Sequence, residues 1–179
     1  MRPAPGAILG RMTVVRELTA DDWAIWRDIR LRSLLDSPSA FGSTYERELE
    51  FTEVTWRERL GDPDAVSVLA WQDDAPVGIG AGFQDLPGYL HVVAMWVAPH
   101  ARGRGVAHLT LDALRSWAEQ RRLLLHLDVQ SANHAARRAY ETYGFQATGT
   151  TRPLREGSPD ITERMVLEAG AMKPVLRRQ

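Results

Sequence analysis

The sequence predicts one α/β (α+β) domain in which a single mixed β-sheet is covered by helices. Three observations carry that expectation. The runs AVSVLAW (65–71) and PVGIGAGF (76–83) flank QDDA and read as an antiparallel hairpin. The segments at 89–97 and from 123 are apolar enough for buried strands, and a helix-patterned stretch follows each. With 179 residues, 44% hydrophobic and 25% charged, the chain has the size and composition of one sizeable core.

TVVREL (13–18) alternates apolar and polar residues and reads as a strand. In TADDW, Thr19 caps a helix whose first turn carries Asp21 and Asp22, where the helix dipole favours acids. Trp23, Ile25, Trp26, Ile29 and Leu34 follow near helical spacing, and Pro38 stops the helix. SPSAFGSTYERELEF reads as a loop leading to a second helix around 53–60. After the hairpin, YLHVVAMWV (89–97) is a strand and a helix is expected over 104–121. LLLHLDV from 123 is a buried strand, followed by a helix over roughly 133–143 that Gly144 ends as a natural C′ residue. FQATGTT and ITERMVLE supply two final strands. The domain is expected over 13–169, with loose tails at 1–12 and 170–179.

Composition excludes several functions. The 22 Lys and Arg balance 23 Asp and Glu, so no global field favours nucleic acid or a membrane surface. There are no cysteines, which removes disulfides, thiolate nucleophiles and cysteine metal sites and fits a cytoplasmic setting. The apolar patch in MRPAPGAILGRM is too short for a signal core or a membrane span. The histidines form no H-E-x-x-H pair, and no metal is expected. Trp23, Trp26, Trp56, Trp71 and Trp117 read as core rather than as base-stacking platforms.

The stretch MWVAPHARGRGVAH (95–108) places two arginines and two glycines where a strand feeds a helix. The first backbone N–H groups of a helix lack intrahelical acceptors, and the aligned peptide dipoles make that end suit an anion. Gly103 and Gly105 let a phosphate approach the main chain, while Arg102 and Arg104 add charge and forked donors. A dinucleotide fingerprint would need glycine where His108 stands, and a P-loop pattern occurs nowhere. On this segment alone, a turn with solvated arginines stays open beside a pyrophosphate cradle.

A second segment, NHAARRAYETYGF, places Asn133 and Tyr140 two helical turns apart on one face. Ala135, Ala136 and Ala139 leave room there for a ligand or a neighbouring element. Read locally, Asn133 is a helix cap and Tyr140 a packing residue.

Together the two segments resemble the GNAT N-acetyltransferase family. Its pattern runs from an apolar strand through a V-x-P turn into Arg/Gln-x-x-Gly-x-Gly/Ala. VAPHARGRGVA meets it with Arg102, Gly105 and Ala107. The family's N-x-x-A-x-x-x-Y-E-x-x-G-F is matched by Asn133, Ala136, Tyr140, Glu141, Gly144 and Phe145. The resemblance implies an acetyl-CoA donor and a sheet splayed between strands 89–97 and 123–129. Main-chain amides of Gly103, Arg104, Gly105, Val106 and Ala107 would hold the pyrophosphate, with the Arg102 and Arg104 side chains alongside. The coenzyme arm would pair with the edge at Met95, Trp96 and Val97 and contact Asn133. The Val97 N–H would polarise the thioester carbonyl.

The acceptor implied is a primary amine, mostly an ammonium at neutral pH, which must lose a proton before attack. Without cysteine, direct transfer in a ternary complex is the simplest scheme. Tyr140 stands where the family places its general acid; Tyr143, one turn on, is a weaker substitute. Many relatives carry a glutamate on the strand before the Arg-Gly turn, and His91 occupies that place here, as a base or as a packed histidine. Glu46, Glu48, Glu50 and Glu53 read as a solvated acidic face; any that reached the cleft would favour a cationic acceptor. Small-molecule amines and protein N-termini or lysines remain open as acceptors, and homodimers are common in the family. The competing reading is a non-catalytic acyl-CoA sensor on the same fold, supported by His91 and opposed by Tyr140.

Overall fold

A computed structural model describes residues 12–168 of the chain. Beyond Met12, the tails expected at 1–12 and 170–179 lie outside the described residues. The strands are β1 (Thr13–Glu17), β2 (Ala65–Gln72), β3 (Ala75–Leu86), β4 (Tyr89–Val97), β5 (Leu124–Gln130), β6 (Gln146–Pro153) and β7 (Ile161–Leu167). They form one sheet in the order β1-β2-β3-β4-β5-β7-β6, with β4 and β5 parallel and every other neighbouring pair antiparallel. The helices are α1 (Trp23–Asp36), α2 (Tyr45–Leu49), α3 (Glu53–Gly61), α4 (Val106–Gln120) and α5 (His134–Tyr143).

The period-two alternation of the strands sorts the layers. In β2, Val66 and Val68 join Leu111, Leu114 and Trp117 of α4 in one core. Leu69 turns the other way and joins Trp26, Ile29 and Leu34 of α1 and Trp56 of α3 in a second core. The sheet is thus covered on both sides, which is why AVSVLAW and YLHVVAMWV are apolar almost throughout. Helix α4 lies close over β3: a Cβ on Gly80 would sit 2.6 Å from Thr110 Cγ2. Among the described residues no helix is long and apolar enough to cross a membrane.

Several boundaries depart from expectation, each for a local reason. The segment read as a loop before residue 53 contains α2, capped by Thr44, whose Oγ1 accepts the Arg47 N–H at 3.3 Å. Five residues are too few for periodicity to reveal. The hairpin turn is Asp73–Asp74, both at positive φ (48° and 62°), so β2 and β3 run closer to the turn than the alternation showed. Helix α4 begins at Val106 rather than 104, because Gly105 is its N-cap in the left-handed region (φ 79°). Strand β7 inserts between β5 and β6, leaving β6 as an exposed edge.

The sheet splays at its centre. Strands β4 and β5 pair only from Tyr89 opposite Leu124 to Val92 opposite Leu127, although β4 runs on to Val97 and β5 to Gln130. The separation starts at a β-bulge. Trp96 faces Ile79 and Val93 faces Ala81, so Ala94 and Met95 together oppose Gly80. Ala94 takes φ 57° to make that kink. A bulge bends its strand and raises its twist, turning β4 away while β5 stays paired to β7.

Candidate functional site

The gap opens beside the Arg-Gly turn. Ala98 donates its N–H to the Val77 carbonyl at 2.8 Å, so Ala98 and Trp96 face β3. In an antiparallel ladder the intervening residue points the opposite way. The Val97 N–H and C=O therefore turn into the gap, and the C=O accepts Arg102 Nε at 2.9 Å. Immediately beyond, Gly103 and Gly105 adopt φ 72° and 79°. The first N–H of α4 to find an acceptor is that of Leu109, on the Gly105 carbonyl at 3.1 Å. Ahead of it, the amides of residues 103–108 donate to no group among the described residues. A Cβ built on Gly103 or Gly105 would meet nothing within 4 Å, so the turn faces open space. Unspent amides, two left-handed glycines and a helix dipole fit a diphosphate.

The arginines divide. Arg102 forms an ion pair with Asp36 at the end of α1, and Asp36 also accepts Trp96 Nε1 at 2.8 Å. Its guanidinium fastens α1 to the end of β4 rather than lying over the turn, and its own N–H donates to the Pro99 carbonyl at 3.4 Å, so Arg102 adds no free donor to the cradle. Arg104 is exposed and forms no ion pair among the described residues. Trp96 points into the core, at 8% exposure, and its main chain faces β3, so it offers nothing to the gap. Val106 is buried and Met95 packs against the α4 core. Asn133 caps α5, its Oδ1 accepting the Ala136 N–H at 3.1 Å, which leaves the amide nitrogen unspent.

A cavity of about 420 Å³ opens from this gap toward α1–α3, lined by Tyr140, His91, Met95 and Asp128 among others. Tyr140 packs edge-on against Phe145, and its hydroxyl has no partner among the described residues. Burial pushes its pKa up to about 12, so it holds its proton at neutral pH. Tyr143 is different. Its hydroxyl donates to Asp112 at 2.7 Å, tying α5 to α4.

His91 sits in a polar cluster that sequence reading missed. It lies opposite His126 across the parallel β4–β5 pair, and the rings stack at 4.5 Å. Asp85 faces His91 Nδ1 at 3.2 Å and His126 Nε2 at 2.7 Å, while Asp128 Oδ2 lies 3.3 Å from His91 Nε2. Both His91 nitrogens thus face carboxylates. Asp85, His91 and His126 offer ligand atoms within 4.8 Å of one another, the one group among the described residues with a donor set a cation could use. No sequence spacing signals the cluster, because its members meet only through strand register. Of the acidic run in 46–53, only Glu48 reaches the cavity; Glu46, Glu50 and Glu53 are exposed, and Glu53 pairs with Arg57.

Asp128 carries a linkage prediction. Burial raises its pKa, but hydrogen bonds from His91 and Arg164 and the charge of Arg152 more than reverse this, holding it well below the usual carboxylate range. A depressed folded-state pKa contributes stability that is present above the unfolded value, about 4, and is lost as pH falls through the folded value. Asp128→Asn is expected to flatten the fall of unfolding free energy below about pH 4. Urea unfolding at several acidic pH values measures this, and an unchanged slope would assign acid sensitivity to other carboxylates.

The Acetyltransferase (GNAT) family profile matches residues 23–145. No curated protein matches the sequence significantly. A GNAT-family acetyltransferase from Streptococcus pneumoniae has a similar structure, with a TM-score of 0.70 at 18% identity over 88% of this chain and 100% of that one. The PaiA N-acetyltransferase from Thermoplasma acidophilum, solved in complex with coenzyme A, superposes with a TM-score of 0.66 at 13% identity over 86% and 98%. A ribosomal-protein-alanine N-acetyltransferase from Brucella melitensis gives 0.64 at 18% identity over 86% and 98%. The match over both diagnostic segments, on a splayed mixed sheet with a bare amide turn, makes this chain a member of the GNAT acetyltransferase family.

Proposed function

We propose that the protein transfers an acetyl group from acetyl-CoA to a primary amine by direct attack within one ternary complex. The observation that carries this reading is the splayed β4–β5 gap, with the 103–108 amides, unspent among the described residues, and the inward Val97 N–H beside it and Tyr140 on the cavity that opens from it. The bound coenzyme supplies an activated thioester. Main-chain amides of Gly103 to Ala107 hold its diphosphate, with the Arg104 side chain alongside, and the Asn133 side chain contacts the arm through its amide nitrogen. Val97 N–H donates to the carbonyl oxygen as negative charge develops there. Tyr140 gives its proton to the departing sulfur as the C–S bond breaks, and its phenolate is reprotonated by the proton that the nitrogen sheds on becoming an amide.

The proton of the incoming ammonium passes to the Asp85–His91–Asp128 unit, with His91 as the acceptor between two carboxylates. With no cysteine in the chain, no thiol on the protein can carry the acyl group. The cysteine-free composition also favours a cytoplasmic setting.

Release of free coenzyme A thiol across a panel of primary amines tests the reading. Turnover on at least one acceptor supports it; coenzyme binding without release on any would favour an acyl-CoA sensor.

A further inference from the structure

The acceptor end of the cavity carries an unexpected sign. Glu48 of α2 lines it, but Arg30 of α1 grips that carboxylate through two bonds, Nε to Oε2 at 2.9 Å and Nη2 to Oε1 at 2.7 Å. One acid is therefore already neutralised by one cation. Arg59 of α3 lines the same cavity, with Asp62 three residues further on, yet it pairs with no carboxylate: it makes no hydrogen bond or ion pair among the described residues. It is held instead by aromatic faces, its guanidinium carbon 5.3 Å from the Phe51 ring centre and 5.8 Å from that of Trp56.

Arg59 is exposed, yet its pKa is pushed down, first by desolvation and then by Arg30 and Arg47, against the pull of Glu48. Arg30, only 7% exposed, also carries a buried Nη1 without an acceptor among the described residues. A positioned, partly desolvated arginine with its donors unspent is a poor packing element and a good carboxylate receptor, since the guanidinium fork matches two carboxylate oxygens.

We propose that Arg59 forms an anion subsite in the acceptor pocket, and that the amine acetylated carries a carboxylate, as a free amino acid does. The assignment rests on the acetyltransferase reading above and adds the acceptor's class to it. Arg59 takes the carboxylate, Arg30 and Glu48 hold the surrounding wall, and Tyr140 and His91 line the same cavity. It reverses the expectation that acids in this segment would favour a cationic acceptor.

The test pairs each of a set of L-amino acids with the amine left by its decarboxylation and with its α-amide, using thiol release. The carboxylates are expected to be preferred by about 10- to 100-fold in kcat/KM, the range of a charge-assisted hydrogen bond. Arg59→Met should erase most of that preference through KM, and Arg59→Lys should restore part of it. Preference for the decarboxylated amines, or discrimination untouched by Arg59→Met, would overturn the subsite while leaving acetyl transfer intact. Should no amine turn over, the transfer reading fails, and calorimetry of the coenzyme-loaded protein with the same amino acids decides the subsite separately. Heat that depends on both the carboxylate and Arg59 supports it, and no such heat overturns it.

Discussion

Gly105→Glu is expected to abolish coenzyme A binding while the protein still folds. The residue is the N-cap of α4 at φ 79°, and a Cβ there meets no atom within 4 Å, so the free protein has space for a side chain. The cost to the fold is the left-handed conformation itself, roughly 1–2 kcal/mol for a residue with a Cβ. The effect on binding is far larger. The substitution sets a negative charge among the amides of residues 103–108, where the diphosphate needs to lie, and fills the approach that glycine leaves open. Calorimetric titration with coenzyme A should show affinity reduced by at least about 1,000-fold, or roughly 4 kcal/mol. A thermal melt of the same protein should still show one cooperative transition at a modestly lower temperature. Gly105→Ala separates the two causes, because it carries the backbone strain without the charge and should lose much less affinity. Unchanged affinity in the glutamate variant would remove the cradle and, with it, the placement of the thioester at Val97.

How far the site could be read in the letters depended on whether its parts are local. The cradle is local: RGRG followed by an apolar helix face states its own geometry, and both glycines adopt the left-handed conformation that this turn uses. The cap at Asn133 and the two-turn spacing to Tyr140 are local too. The bulge at Ala94 is not, because nothing in HVVAMWV marks an alanine for positive φ; the kink is imposed by pairing with β3 and packing beneath α4. The same holds for the fate of Arg102. Its partner Asp36 lies at the far end of α1, and only the docking of that helix on β4 makes a fastening of what reads as a phosphate ligand. Asp85, His91, His126 and Asp128 sit on three strands and become neighbours through register. Arg59 reads as one charge in an ordinary helix until the fold sets it over Phe51 and beside an already neutralised Glu48.

Tyr140→Phe should lower kcat by about 100- to 1,000-fold, within the range general acid catalysis supplies, with coenzyme affinity little changed. The substitution keeps the ring that packs against Phe145 and removes only a hydroxyl that bonds to nothing among the described residues, so no contact described there is lost. What is lost is the proton for the leaving thiolate. The pH dependence distinguishes this role from a packing one. Burial holds the phenol at a pKa of about 12, so it stays protonated well above neutrality and imposes no alkaline limb below about pH 11. The ratio of wild-type to variant rate should therefore stay flat from pH 6 to about 9, because over that range the missing group never changes state. Any acid limb is set by groups other than Tyr140 and should persist in both proteins. A ratio that collapses toward unity with rising pH would mean that the phenol ionises within the working range. Full activity in the phenylalanine variant would strip Tyr140 of the role and send the search for the acid to water in the cavity, since Tyr143 has its hydroxyl committed to Asp112.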